Sequence, residues 1–322
     1  VENIPGVLWL RGPLDVQALR AAVGDLTARH EILRTSYPDS PDGPHQLIAP
    51  VDDSTPELVV DTVPEDQVSA RVMEAALAGF DVTAAPPIRL VLLRVSDRAD
   101  EHVLALVSHH ICADGVSMGV LARDTMTAYA ARCTGEPPAW SPLGLQYADF
   151  ALWQRDVLGD DTDPESIAGR QRTYWSERLA GLPDVLDLPS DRPRPAVQSH
   201  RGRRHDFTLD ADLHEAMRRR AAELGATPFM VAHAALAILL ARLSGTRDIV
   251  VGTPIAGRGD RRLDDVVGMF VGTLVLRTEI APGADGRSVV AAVRDGDLAA
   301  FGHADLPFER LVEILNPPRS QA

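Results

Sequence analysis

Two histidines and an aspartate stand close together at residues 109–115, in the order His109-His110-Ile111-Cys112-Ala113-Asp114-Gly115. They follow an apolar run at 103–107 that predicts a strand, and they precede a predicted helix. Imidazole exchanges protons near neutral pH, so this segment could supply a general base. Because neighbouring strand residues face opposite sides, only one histidine can easily face a given cleft. Asp114 lies in the turn, where it could hold a cation or cap the helix, and Gly115 lets backbone approach closely.

Two other interpretations of this segment stay open. The histidines could be satisfied polar residues at the end of a strand, with no chemical role. A metal site could instead use His109, His110, Cys112 and Asp114. Adjacent histidines rarely point at one ion, however, and no second cluster of ligands stands out. We therefore expect no bound metal.

A third interpretation comes from Gly115-Val116-Ser117-Met118-Gly119, which matches the Gly-x-Ser-x-Gly elbow of α/β-hydrolases. Taken alone, this pattern would indicate a thioesterase or esterase that uses Ser117. The elbow serine should follow its strand at once, whereas here the stretch 109–114 intervenes. None of the downstream histidines available for a triad stands in a recognisable context; they are His200, His205, His214, His233 and His303.

The composition is that of a globular protein with excess negative charge. Of the 322 residues, 45% are hydrophobic and 24% are charged, and the formal net charge is −14. Since nucleic-acid binding depends on dense positive charge, this excess argues against a nucleic-acid partner. Cys112 and Cys133 have no disulfide or zinc-finger spacing, which fits a reducing cytoplasm. The most apolar stretch, 229–243, is shorter than the ~20 residues of a membrane span and predicts a buried helix, and no signal peptide is visible.

Both halves of the chain mix strand and helix patterns without strict βαβ alternation. Strands are predicted at 7–11, 90–93, 103–107, 248–252 and 273–280, and helices after Asp15, at 117–133, around Trp175, at 213–224, 228–243, 288–301 and 307–315. A polar, proline-rich stretch at 159–202 is the best candidate for a crossover. We therefore predict an α/β fold with an N-terminal lobe at 1–158, a crossover linker at 159–202 and a C-terminal lobe at 203–322, each lobe an α/β sandwich.

Six motifs, in order, resemble those of one enzyme family. The first is Arg29-His30-Glu31-Ile32-Leu33-Arg34-Thr35, and the second, at 109–115, matches the signature His-His-x-x-x-Asp-Gly. The others cover residues 147–155, 188–195, 268–271 with 273–277, and 305–312. Over nearly its whole length the sequence resembles the condensation domains of nonribosomal peptide synthetases, which share the fold of chloramphenicol acetyltransferase. The resemblance implies two such lobes in a V-shaped pseudo-dimer.

The resemblance also implies a reaction and its partners. The α-amine of an acceptor aminoacyl thioester would attack the thioester carbonyl of a donor, which forms a peptide bond by acyl transfer. An upstream donor carrier domain and a downstream acceptor carrier domain would deliver the substrates on phosphopantetheine arms, from opposite mouths of a tunnel. The domain would therefore bind no cofactor of its own. An adjacent adenylation domain is the third implied partner.

The same resemblance suggests roles for single residues. His110 would contact the attacking amine, His109 would be structural, and Gly115 could offer its backbone N–H to the developing oxyanion. We predict that Asp114 shapes the loop through a buried ion pair, with Arg258 as its partner. The candidates for lining the tunnel are Ser117 and Gly272.

Some features depart from the family pattern. The family usually has asparagine at the position of Gly272 and often has tryptophan at that of Val116. The chain also starts after the family's first motif and stops before its last strands, so we expect it to be incomplete at both ends.

The signature also separates this chain from other branches of the superfamily. Epimerisation domains lack glycine after the aspartate, heterocyclisation domains replace the histidines with aspartates, and oxygenase-recruiting domains alter the second histidine. This sequence keeps the condensing form. Its stretches 117–118 and 158–175 and its proline-rich crossover resemble the subtype whose donor ends in a D-residue. A hydrolase that uses Ser117 and a non-catalytic carrier-docking domain are the alternative functions.

Overall fold

The computed structural model describes residues 2–51, 54–183, 185–193, 197 and 202–316. The chain divides into two compact units, and the division does not follow the order of the sequence. The first unit combines Val1–Asp156 with Ala256–Val271, and the second combines Val157–Ile255 with Gly272–Ala322.

The first unit is built around a four-stranded sheet. The six strands among the described residues of the unit are β1 (Asn3–Arg11), β2 (Thr35–Ser36), β3 (Leu47–Ile48), β4 (Leu58–Val63), β5 (Ile88–Val95) and β6 (Glu101–His109). Its helices are α1 (Val16–Arg29), α2 (Glu65–Leu77), α3 (Gly115–Arg132) and α4 (Tyr147–Leu158), the last of which ends just inside the second unit. The sheet has the order β1-β6-β5-β4, with β4 and β5 parallel and the other two pairings antiparallel, while β2 and β3 form a separate pair.

Helices cover both faces of this sheet, which explains why β5 and β6 read as continuous apolar runs. One set of alternate residues, such as Leu104 and Leu106, packs with α1 and α3. The other set, such as Val103 and Val107, packs with α2. The first unit is therefore the α/β sandwich that the sequence predicts, and β6 carries the two histidines out of its core.

The residues Arg29 and His30 at the end of α1 fix that helix against α3. Asp124 in α3 accepts hydrogen bonds from Arg29 Nε, His30 Nε2 and Arg123 Nε, each at 2.9 Å. Burial lowers the pKa of His30 despite the nearby carboxylate, so the ring is neutral and donates from Nε2. Burial alone would raise the pKa of Asp124, but the bonds from His30, Arg123 and Arg29 lower it to about 2. The first of the six motifs thus holds the helix that follows the signature.

The second unit has a two-stranded antiparallel sheet among its described residues. Its helices are α5 (Ile167–Arg178), α6 (Ala211–Glu223), α7 (Pro228–Ser244), α8 (Gly286–Phe301) and α9 (Phe308–Leu315), and its strands are β7 (Asp248–Ile255) and β8 (Gly272–Glu279). Trp175 of α5 is buried among β8, α8 and α9, and its Nε1 donates to His303 O at 2.8 Å.

The structure differs from two predictions about this part of the chain. Helix α5 lies inside the predicted linker at 159–202, yet Trp175 makes it part of the core of the second unit. The segment Ala256–Val271, predicted to lie in the C-terminal lobe, belongs to the first unit because its side chains and backbone bind Asp114. Parts of the predicted linker and of the C-terminal lobe lie outside the described residues, namely 184, 194–196, 198–201 and 317–322.

The helix predicted as buried is α7, and this expectation is wrong for one of its sides. Met230, Ala234 and Ala237 are buried, whereas Leu236 and Leu239 are 43% and 53% exposed. In the part of the chain that the structure describes, no single helix is long and apolar enough to cross a membrane. Among the described helices, only α6 and α7 taken together, which are bent by 101° relative to each other, reach that length and composition.

The neutral state of His30 predicts how stability depends on pH. Its pKa in the folded protein lies below 6.5, so the unfolded chain takes up a proton first as the pH falls. The free energy of unfolding should therefore decrease below pH ~6.5, by at most about 1.4 kcal/mol per pH unit from this residue. Urea denaturation at several pH values measures it. His30→Gln should flatten the slope and the exposed His45→Gln should not; equal slopes in all three proteins would contradict a neutral buried His30.

Candidate functional site

The backbone at the two histidines is held by neighbouring strand ends. His109 is the last residue of β6 and pairs with Asn3 of β1. Its N–H donates to Pro87 O at 3.0 Å, and the N–H of His110 donates to Glu2 O at 2.7 Å. The sheet therefore fixes where both imidazole rings leave the backbone.

The two imidazole rings have different surroundings. His109 Nδ1 accepts the N–H of Ile111 at 3.0 Å, and the ring meets Phe80 edge to face, with 6.4 Å between the centroids. His110 is half-buried, and its Nδ1 lies 3.1 Å from Met269 Sδ. His109 thus stabilises the turn after β6. Nε2 of His110, by contrast, has no hydrogen-bond partner among the described residues.

Asp114 is completely buried, and both of its carboxylate oxygens accept hydrogen bonds. Oδ1 accepts from Ser117 N at 2.8 Å, from Ser117 Oγ at 2.8 Å and from Arg258 Nη2 at 3.2 Å. Oδ2 accepts from Phe270 N at 3.1 Å. This carboxylate caps α3 and at the same time binds the segment Ala256–Val271 to the signature.

Arg258 supplies the opposite charge. Its side chain is 5% exposed, and Nη2 reaches both Asp114 and Ser117 Oγ, the latter at 3.0 Å. Nη1 donates to the carbonyl oxygens of Leu263 and Val266, and the guanidinium lies 4.1 Å from the centroid of the Phe270 ring. The predicted Asp114–Arg258 contact is therefore present, with hydrogen bonds that offset much of the cost of burying two charges.

A second helix shows which part of the signature is ordinary helix capping. Asp285-Gly286-Arg287-Ser288 repeats the Asp-Gly-x-Ser order of residues 114–117 at the start of α8. Asp285 accepts from Ser288 N at 2.8 Å and from Ser288 Oγ at 2.6 Å, as Asp114 does from Ser117. Unlike Asp114, however, it is exposed and binds no arginine among the described residues. Helix capping therefore accounts for the order Asp-Gly-x-Ser at both helices. The buried ion pair with Arg258 is the feature found only at Asp114.

Ser117 has a structural role that conflicts with the hydrolase interpretation. Its side chain is completely buried, and Oγ lies 2.9 Å from Gly268 O and 3.1 Å from Gly268 N. No described histidine contacts it, and it lies in the first turn of α3 rather than on a strained elbow. His200, one of the triad candidates, lies outside the described residues. A buried Ser117 also lines no open tunnel within this unit, contrary to the second prediction for it.

Reasoning from the sequence missed Met269 and three further residues of the site: Gly257, Gly268 and Tyr147. Gly257 has φ +65°, and a Cβ there would lie 1.8 Å from Phe270 O. A Cβ on Gly268 would lie 2.0 Å from the Tyr147 ring. Burial, followed by the charge of Asp114, raises the pKa of Tyr147 to about 12, so its hydroxyl stays protonated and donates to Met269 O at 2.7 Å. The signal was present, because Tyr147 and Gly268 each open one of the six motifs.

The remaining predicted residues lie at the edges of these contacts. Gly115 is exposed at the first position of α3, where backbone N–H groups lack partners within the helix, so its suggested oxyanion role stays a prediction. Gly272 begins β8 in the second unit, where it pairs with Ile255. A Cβ at Gly272 would make an ordinary contact at 3.4 Å with Ile255, so close approach of the backbone does not require a glycine there.

Metal binding finds no support in these residues. Burial raises the pKa of the Cys112 thiol to about 12, which keeps it protonated, and its Sγ lies 3.2 Å from His109 O. The structure holds no group of three His, Cys, Asp or Glu side chains arranged for a metal ion within the ranges it describes.

Comparisons with known proteins identify the family of this chain. The Condensation domain family matches residues 2–322. The chain is 46% identical over 320 residues to a dimodular nonribosomal peptide synthase of Bacillus subtilis (strain 168), covering 99% of this chain and 13% of that protein. The chain belongs to the condensation-domain family of nonribosomal peptide synthetases, as its six motifs predict. It spans between 4% and 13% of the length of the curated relatives that it matches first.

Solved structures give the same fold. The X-domain from teicoplanin biosynthesis matches with a TM-score of 0.92 and 36% identity, over 99% of this chain and 70% of that one. The first condensation domain of the calcium-dependent antibiotic (CDA) synthetase matches with a TM-score of 0.73 and 21% identity, over 100% and 75%. The predicted α/β class and relationship to condensation domains are confirmed.

Removing Asp114 should destabilise the first unit severely. Asp114→Ala leaves Arg258 buried without its carboxylate, which should lower the free energy of unfolding by about 3–5 kcal/mol. Urea denaturation measures the loss. Asp285→Ala is the matched control, because it removes the same kind of cap without a buried partner and should cost much less. If Asp114→Ala folds normally and only catalysis falls, the structural role assigned to Asp114 is wrong.

The close approach at Gly268 gives an independent test. Gly268→Ala would displace the Tyr147 ring and should lower the free energy of unfolding by about 1–3 kcal/mol. Gly259→Ala is the control in the same segment, because a Cβ there meets no atom within 4 Å. Thermal denaturation of both variants compares them, and equal effects would contradict the packing described.

Proposed function

We propose that this chain forms peptide bonds between a donor aminoacyl or peptidyl thioester and the α-amine of an acceptor aminoacyl thioester. Its membership of the condensation-domain family supports this reaction. The observation that carries the proposal is which polar groups of the signature already have hydrogen-bond partners. Asp114, Cys112 and the Nδ1 of His109 are occupied by contacts within the first unit. The Nε2 of His110 has no such contact in the described residues, so it remains for a substrate.

The chemistry requires only a mild base. An α-amine with a pKa of about 7.7–8.0 is roughly 30% neutral at pH ~7.5, so its prior deprotonation costs less than about 1 kcal/mol. His110 would position the amine and accept its proton once the attacking nitrogen becomes acidic. These effects are worth about 10²-fold or more. The carbon–sulfur bond of the donor thioester would then break, and the proton would pass to the released thiolate of the donor phosphopantetheine arm. The backbone N–H of Gly115 would stabilise negative charge on the thioester oxygen, because it lies at the positive end of α3.

The partners follow from the same proposal. Donor and acceptor carrier domains would bring both substrates on phosphopantetheine arms, and an adenylation domain would load the acceptor carrier. The relatives are synthetases much longer than this chain, which supports these partners. The phosphopantetheine arm would be the only prosthetic group involved, and it belongs to the carriers. A donor that ends in a D-residue and a cytoplasmic location remain predictions from the sequence.

Mass spectrometry of intact carriers tests the reaction. With loaded donor and acceptor carriers, the full-length polypeptide that contains this sequence should transfer the donor onto the acceptor carrier. His110→Ala should slow this step about 10²-fold because no imidazole remains to accept the proton. His45→Ala, at an exposed histidine of the same unit, should leave the rate unchanged.

Three outcomes would contradict the proposal. Unchanged transfer by His110→Ala would remove His110 from the reaction. Release of free acid, lost on Ser117→Ala although the variant is folded, would indicate a hydrolase. Binding of both loaded carriers without any product would indicate a docking domain.

A further inference from the structure

Among the described residues, Met269 makes the one hydrogen-bond contact to the His110 ring, at 3.1 Å between Nδ1 and Sδ. A thioether sulfur accepts hydrogen bonds weakly and donates none. If Nδ1 carried no hydrogen, two lone pairs would face each other at this distance. The contact is therefore attractive only when the hydrogen of the neutral imidazole is on Nδ1, and that tautomer leaves Nε2 with a free lone pair.

We propose that Met269 is a positioning residue that holds His110 in the tautomer protonated on Nδ1, so that Nε2 can accept the proton of the acceptor amine. The inference rests on the proposed function for its consequence, although the tautomer itself can be measured without any reaction. A hydrogen on Nε2 would instead point an N–H group at the amine, and the ring could not act as a base there.

The backbone around Met269 is anchored at three successive residues. Ser117 Oγ contacts both the N–H and the carbonyl of Gly268, Tyr147 donates to Met269 O, and the N–H of Phe270 donates to Asp114 Oδ2. Two of these anchors, Asp114 and Ser117, lie within seven residues of His110 in the sequence. The segment that supplies the imidazole therefore also fixes the residue that orients it.

The uncharged sulfur of Met269 affects the His110 ring differently from a carboxylate. A carboxylate at Nδ1 would favour the imidazolium and raise the pKa of the ring. A neutral thioether orients the ring without adding charge. This suits a reaction in which the amine needs positioning and late proton transfer rather than a strong base.

Nitrogen-15 NMR of the full chain with labelled histidine tests the tautomer. At pH 8, the His110 signals, identified by their loss in His110→Ala, should show Nδ1 protonated and Nε2 unprotonated. Met269→Leu has a side chain of similar size without an acceptor and should shift the tautomer ratio at least about threefold towards Nε2–H. Met269→Gln offers Oε1 as an acceptor and should keep the ratio near that of the unchanged protein. The exposed Met73→Leu is the control.

Kinetics with loaded carriers provide the second measurement. Met269→Leu should lower kcat about three- to tenfold with KM unchanged, and Met269→Gln should recover most of the loss. The inference would be overturned if His110 of the unchanged protein were mainly protonated on Nε2. It would also be overturned if a folded Met269→Leu variant had the same tautomer ratio as the unchanged protein. If Met269→Leu does not fold, the tautomer of His110 in the spectrum of the unchanged protein decides whether the inference stands. A correct tautomer without peptide product would instead overturn the proposed function and leave the role of Met269 standing.

Discussion

A carboxylate with no exposure to solvent must find its compensation inside the protein, and Asp114 imposes that requirement on the first unit. Arg258 supplies the charge, while N–H groups from the turn after Asp114 and from Phe270 supply hydrogen bonds. To bring these groups together, the chain must return from the second unit with Ala256–Val271. Gly257 and Gly268 then have to be glycines, because this returning segment packs at distances that leave no room for a Cβ.

The signature therefore contains two kinds of residue. Most of its polar groups hold structure: His109 stabilises the turn, and Asp114 caps a helix and forms an ion pair. The ring of His110 differs, because its one polar contact in the described residues is with an uncharged sulfur. Rigid surroundings and an imidazole that contacts no charged group among the described residues suit proton transfer from an amine that is already partly neutral at physiological pH.

Periodicity found most of the long elements, because buried strands and capped helices leave strong local patterns; the cap of Asp15 on α1 and of Thr227 on α7 are examples. The Asp114–Arg258 pair could be suggested from motifs, since both residues stand beside glycines in recognisable segments. The contacts of Tyr147, Met269 and Ser117 were missed although Tyr147 and Met269 lie in two of the six motifs, because a motif does not indicate which distant group each side chain meets. The mixed exposure of α7 was missed because an apolar composition does not reveal which sides are covered.

The polypeptide passes between the units three times, after Asp156, Ile255 and Val271. A single genetic recombination near residue 156 between two related genes would combine Asp114 from one parent with Arg258 from the other. Such a hybrid inherits a buried ion pair whose two halves, and the glycines around them, come from different lineages. Exchange of the first unit as a whole needs breakpoints after Asp156, Ile255 and Val271, so Ala256–Val271 should be inherited together with the signature rather than with the strands that flank it.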